Sequence, residues 1–288
     1  METNLTRRSF GLLTLGAAAC LPAVGLAKGF AHPEVLEQPE ALLQGATDAV
    51  LVDLRPEEDY RKGHIPGALH LDANAVAAPD SPVEGALRPT AEIEAMLGGL
   101  GIGPTSRVVF YDDRGGFHAA RMFWLMEYLG HRGASVLNGG WAAWRAAGGS
   151  PAADVARPAP AKFAGAISPR RLATADYILS HSADPDTVVV DVRPTELYAK
   201  GHMPWAINLP WSQNLRDDKR FRSAGDLLAH FSDRGVTPER NVVLHCQNGL
   251  ASAHSYVALR LLGYPRVRVY HRSWAEWGAD PALPKAVG

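Results

Sequence analysis

The segment Asp53-Leu-Arg-Pro-Glu-Glu-Asp-Tyr-Arg-Lys-Gly-His-Ile-Pro-Gly-Ala68 returns as Asp191-Val-Arg-Pro-Thr-Glu-Leu-Tyr-Ala-Lys-Gly-His-Met-Pro-Trp-Ala206, with ten of sixteen positions identical. The offset of 138 residues is the length of a domain and too long for a solenoid repeat. Two looser echoes follow in the same order, 108–111 against 242–245 and 129–144 against 262–277. A chain of 288 residues is long enough for two such units. The expected organisation is one domain over 33–150, a linker over 151–165 stiffened by Pro151, Pro158 and Pro160, and a second domain over 166–288.

Each unit alternates short apolar runs with helical patterns. Residues 50–54 and 188–192 have no polar face apart from their aspartates, as buried parallel strands require. Helix-spaced apolar residues occupy 90–100 and 223–231, the second opening on a capping-box pattern, Ser223 to Asp226. Further strands are expected at 108–111 and 241–245, followed by helices over 119–129 and 251–262. This order predicts an α/β fold in which each domain is a parallel sheet with helices on both faces.

The first 27 residues stand apart. Thr6-Arg7-Arg8-Ser9-Phe10 precedes an uncharged stretch over 11–27 that ends in small residues before Lys28. Basic start, apolar middle and small-residue end predict a signal peptide, and the paired arginines resemble the twin-arginine export signal. A membrane anchor is the competing reading, but this Gly- and Ala-rich stretch is short for a span. Cys20 after three alanines is a minor alternative, a lipidation site. The expected location is periplasmic, with no membrane attachment after cleavage. Removing Arg7, Arg8 and Glu2 takes the formal net charge from −1 to −2, which gives no reason to expect nucleic acid as a partner. An anionic substrate must then be gathered by local cations.

Of the two cysteines, cleavage leaves only Cys246. A lone cysteine cannot staple an exported fold, so it is either an inert buried thiol or a reactive one. Cys246 follows the strand 241–245 directly and precedes Gln247-Asn248-Gly249-Leu250, with a helix beginning near Ala251. Open α/β sheets place ligands at this carboxyl end of a strand. Loop and helix N-terminal N–H groups aimed at the sulfur favour a thiolate there, and Gly249 supplies the backbone freedom of such a cradle. Packing at a strand end is the other reading of Cys246.

The paired Asp-x-Arg-Pro…Gly-His-x-Pro-x-Ala blocks, the strand–Cys246–loop–helix and Ser273-Trp-Ala-Glu-Trp277 together resemble the tandem-domain rhodaneses, the thiosulfate and 3-mercaptopyruvate sulfurtransferases. The resemblance runs from about Pro33 to the C-terminus. It implies a silent first domain and an active site at the domain interface. Asp112 stands where Cys246 stands in the second unit, and aspartate cannot carry a sulfane sulfur. By the match of 111–121 to the silent-domain loop, Arg121 reaches across to the substrate anion, although a solvated helix arginine is its plain alternative. Cys246 would be the nucleophile that keeps the donor's outer sulfur as a persulfide and yields it to a thiophilic acceptor such as cyanide or a thiol. Gln247, Asn248, Gly249, Leu250 and Ala251 form the candidate substrate-binding loop. Gln247 and Asn248 depart both from the basic loop of the vertebrate thiosulfate enzymes and from the Gly-Ser pair of mercaptopyruvate enzymes. Gln247 leans toward thiosulfate as donor, with 3-mercaptopyruvate the alternative. No metal or organic cofactor is implied, and a monomer is the default for a tandem pair.

The remaining polar residues carry structural expectations. Asp53 with Arg55, and Asp191 with Arg193, tie loops. His64 and His202 bond local backbone, and Trp274 and Trp277 pack the domain. A phosphatase or arsenate reductase on this fold needs Cys-x5-Arg, but the position six residues beyond Cys246 is Ser252. A persulfide carrier for a protein partner, without turnover of small donors, would use the same residues as the enzyme. An unreactive Cys246 would leave a purely structural pair of domains.

Overall fold

The computed structural model describes residues 29–44 and 47–288, together with Met1. The expected signal peptide and Cys20 lie outside the described residues. In the first half, β1 (Leu36–Glu37), α1 (Pro39–Leu43), β2 (Val50–Asp53), α2 (Glu57–Lys62) and β3 (Leu69–His70) lead into α3 (Thr90–Gly99). There follow β4 (Val108–Tyr111), α4 (Phe117–Tyr128), β5 (Ala134–Leu137) and α5 (Gly140–Ala146). The second half repeats the plan with α6 (Ala175–His181), β6 (Thr187–Asp191), α7 (Thr195–Lys200), β7 (Ile207–Asn208) and α8 (Ala224–Ser232). It ends with β8 (Asn241–His245), α9 (Leu250–Leu261), β9 (Val267–Val269) and α10 (Ser273–Trp277).

The strand orders are β1-β5-β4-β2-β3 and β7-β6-β8-β9, and every pairing between these strands is parallel. The two sheets share one register: Asp53 lies opposite Tyr111, and Asp191 opposite His245, the residue before Cys246. The β4 run Val-Val-Phe-Tyr is buried throughout, because helices flank a parallel sheet. The expected capping box forms at α8, where Ser223 Oγ accepts the Asp226 N–H at 3.2 Å and donates to its carboxylate at 2.7 Å.

The duplicated segment is a self-contained lock. Asp53 accepts from the Arg55 backbone N–H at 2.9 Å and from its guanidinium at 2.6–3.1 Å, and Arg55 Nη2 continues to the Gly63 carbonyl at 2.7 Å. Asp191, Arg193 and Gly201 repeat these bonds, with the Asp191 carboxylate accepting Arg193 Nη2 at 2.6 Å. His64 and His202 stack on Tyr60 and Tyr198 and bond their carbonyls through Nδ1. Trp141 and Trp274, from the later repeat, cover the two guanidinium groups at 4.0 and 4.5 Å. Identity in these segments therefore preserves a lock, and catalysis is not needed to explain it.

Asp191 and Arg193 are both buried, so the pair's value lies in not leaving one charge alone. Asp191→Ala is expected to cost about 3–5 kcal/mol through the stranded Arg193 guanidinium. Removing exposed Glu57 from Arg61 should leave the melting temperature nearly unchanged. Comparing thermal melts of the two variants checks this, and equal shifts would contradict it.

The halves meet along α4 and α9, which pack against each other. Both helices are apolar or small nearly all round, and residues 119–126 and 251–259 are buried. A polar hub sits near the C-terminal ends of the two helices. Glu127 of α4 accepts from Arg260 Nε at 3.0 Å and from the Tyr256 hydroxyl, both on α9, and lies 3.6 Å from Arg171 Nε. The proline-bearing stretch after α5 is strapped to the first half. Ala152 and His64 exchange backbone bonds at 2.9 Å, Ala161 N–H donates to Gly98, and Ser168 N–H to Tyr128.

Candidate active site

β8 delivers Cys246 to the carboxyl edge of its sheet, and the chain turns through Gln247 and Asn248 into α9. Gly249 caps that helix at φ +88°, and a Cβ there would lie 2.4 Å from His271 Nδ1. Both facts demand glycine. Several loop N–H groups were expected to converge on the sulfur; the one that bonds it is Gly249 N–H, at 3.2 Å. Ser252 Oγ stands 3.6 Å from Sγ, and Ser273 Oγ stands 3.9 Å away. The Ser273 hydroxyl accepts the Cys246 N–H at 3.0 Å and donates to the Tyr270 carbonyl at 2.7 Å. Ser273 holds φ +52°, where the first half has Gly140 at φ +59°. A side chain in the left-handed region is a local cost, and here it puts a hydroxyl against the Cys246 backbone.

The first half shows what such a cradle holds. Its Asp112 carboxylate accepts four backbone N–H groups, from Arg114, Gly116, His118 and Ala119, at 2.7–3.0 Å. Gly116 and Gly249 are equivalent caps, each donating to the side chain of the residue just after the preceding strand. The first nest is filled by its own anion, and the second presents a sulfur instead.

Arg121 is 1 % exposed, so it is not a solvated helix arginine. Burial lowers its pKa to about 10, and the charge of neighbouring Cys246 opposes that shift. Its Nη2 donates to the Gly85 carbonyl at 2.7 Å. Asn248 Nδ2 donates to Glu84 at 2.7 Å, which ties the loop to the first half. Gln247 is exposed, Leu250 is half-buried and Ala251 is buried at the start of α9. The fold thus places Cys246, Arg121 and the 247–251 loop in one region between the halves.

Sequence reasoning missed the 80–87 segment and His271. The first has no periodicity, and the second follows β9 without any recognised spacing. A comparison of Tyr270-His271-Arg272-Ser273-Trp274 with Leu137-Asn138-Gly139-Gly140-Trp141 would have marked His271 as a change at a strand end. Trp277 is fully buried and Trp274 partly so, as expected of packing residues.

The rhodanese-like domain pattern matches residues 37–147 and 174–280. The thiosulfate sulfurtransferase of Pseudomonas aeruginosa is 36% identical over 251 residues, covering 84% of this chain and 93% of that protein. The sulfur carrier protein TtuD of Thermus thermophilus is 31% identical, covering 90% and 99%. The 3-mercaptopyruvate sulfurtransferase of Escherichia coli is 27% identical, covering 81% and 86%. The anaerobic ergothioneine biosynthesis enzyme from Chlorobium limicola shares the fold, with a TM-score of 0.82 at 24% identity over 90% of this chain and 71% of that one. With both halves matched and the lengths of these relatives nearly spanned, the chain belongs to the rhodanese family as a tandem of two rhodanese-like domains.

Proposed function

We propose that this protein is a thiosulfate sulfurtransferase that carries sulfur on Cys246. The observation that carries the reading is the contrast between equivalent positions: Asp112 fills the first nest with a carboxylate, and Cys246 brings a nucleophile to the second. The Cys246 thiolate attacks the outer sulfur of thiosulfate. A new S–S bond forms, and the thiosulfate S–S bond breaks with its electron pair leaving on sulfite. A thiophile such as cyanide then takes the outer sulfur from the persulfide and returns the thiolate. Arg121 orients the dianion, and Gln247, Asn248, Gly249, Leu250 and Ala251 surround the transferred sulfur. Thiosulfate as donor is supported by relatives of that name at 36% and 34% identity, against 27% for the mercaptopyruvate enzyme.

The reading assigns 33–150 as the silent domain, 151–165 as linker and 166–288 as the catalytic domain. Export is supported by Arg7-Arg8 and the uncharged stretch that follows. A second reading, persulfide carriage to a partner protein, is favoured by the 31% identity to a sulfur carrier over nearly its full length. Steady-state assays with thiosulfate and cyanide, and with mercaptopyruvate in place of thiosulfate, separate these readings. Thiocyanate formation with thiosulfate as the faster donor supports the enzyme. A persulfide that forms without turnover supports the carrier.

A further inference from the structure

The sulfur of Cys246 is buried, so a donor must displace something to reach it. The 80–87 segment of the first half lies over the Cys246 loop. Gly85, at φ +76°, sits so close that a Cβ there would lie 2.4 Å from the Asn248 carbonyl oxygen. The Gly85 carbonyl oxygen is itself the focus of two donors from opposite halves. Arg121 Nη2 reaches it at 2.7 Å and His271 Nε2 at 2.6 Å. The His271 ring stacks on Trp124, with centroids 5.1 Å apart and planes within 11°, which fixes where Nε2 points. Since a carbonyl only accepts, His271 carries its proton on Nε2. Arg121 Nε and His271 Nδ1 have no partner among the described residues. A cavity of about 680 Å³, lined by Ala86, Leu87, His271 and Arg272 among others, adjoins His271 on the side of the 80–87 segment.

Two converging N–H donors, one of them cationic, make an oxyanion site beside a nucleophile. We propose that the Gly85 carbonyl occupies the place of a donor oxygen, and that His271 binds this oxygen together with Arg121 once the 80–87 segment lifts. The ligand class is an anion bearing a sulfonate or carboxylate oxygen next to a transferable sulfur. Burial, reinforced by Arg121, lowers the pKa of His271 to about 3, so the ring donates as a neutral group throughout the neutral range. The inference rests on the sulfurtransferase reading and adds His271 as a residue that selects the donor.

The test is single-turnover transfer followed by intact mass, with thiosulfate for loading and cyanide for discharge. His271→Leu is expected to slow loading at subsaturating thiosulfate by about 10- to 100-fold and to raise KM. Discharge involves no sulfonate and should change by less than about threefold. His271→Gln, whose amide nitrogen reaches the Nε2 position, should restore most of the loading rate. Glu84→Ala keeps both donors and loosens the segment, so it should lower KM and speed alkylation of Cys246. Loading by His271→Leu at the wild-type rate would overturn the proposal, as would equal slowing of both half-reactions or a Gln variant no better than Leu. An unchanged KM and alkylation rate in Glu84→Ala would overturn the displacement. These results leave the sulfurtransferase reading standing, whereas a wild type that loads from neither thiosulfate nor mercaptopyruvate removes both.

Discussion

Incubated with thiosulfate, the wild-type protein gains the mass of one sulfur atom, and Cys246→Ser gains none. Serine keeps the volume and hydrogen-bonding character of the position, and its oxygen can still accept the Gly249 N–H. The fold should therefore survive, with circular dichroism and the melting temperature close to wild type. What disappears is the polarizable thiolate, since an alkoxide is not populated near neutral pH and oxygen forms no persulfide. Turnover should fall on the order of a thousandfold or more, because no neighbouring group substitutes for the nucleophile. In protein trimmed of residues 1–27, and so of Cys20, Cys246 is the one cysteine left, and a gain of sulfur by the serine variant would refute the assignment directly. Failure of the wild type with both donors would leave an interaction role for the pair of domains.

Acidification from pH 6.5 toward 4 is expected to unfold the protein before its carboxylates are largely protonated. Burial lowers the pKa of His254 to about 4 and that of His271 to about 3, and it lowers that of His245 as well. In the unfolded chain these rings titrate near 6.5. The folded state therefore binds fewer protons across this window, and stability falls as pH drops. Above pH 6.5 both states are neutral at these sites and the dependence vanishes. For His254 alone the shift corresponds to roughly 3 kcal/mol, a large share of an ordinary domain's stability. His254 also joins the halves, since its Nε2 meets the Gly115 carbonyl at 3.1 Å. Fluorescence and circular dichroism followed from pH 7 to 4 should show a transition above pH 4, with net proton uptake on unfolding at pH 5. An unchanged melting temperature between pH 7 and 5 would refute this account.

Much of the architecture could be read from the chain because its signals are local. The apolar runs of β2, β4, β6 and β8 have the signature of buried parallel strands, and the duplicated segment gave the register of the whole plan. Cys246 was legible because a strand, a glycine-bearing loop and a helix follow one another without interruption. Arg121 was legible only through resemblance, since nothing near it in sequence says that α4 faces the other half. The contacts made by Gly85 were not legible at all. His271 lies 186 positions from it, and they meet only because α4 and α9 pack the two halves together. Ser273 was seen as part of a motif, but its left-handed backbone was not, because serine rarely adopts that conformation and the one cue was Gly140 at the equivalent position.

The Glu127 hub bears on timing. Arg260, Tyr256 and Arg171 converge on one carboxylate at the half-buried end of the α4–α9 joint, so parting the halves would give up these bonds together with the apolar area the two helices bury. Access to the sulfur by wholesale domain opening is thereby disfavoured, and the 80–87 segment is left as the moving part. Excursions of so short a piece of chain fall in the nanosecond-to-microsecond range, whereas domain hinges take microseconds to milliseconds. Admission of the donor should then be fast compared with turnover, and the speed of the enzyme should be set by bond exchange at sulfur.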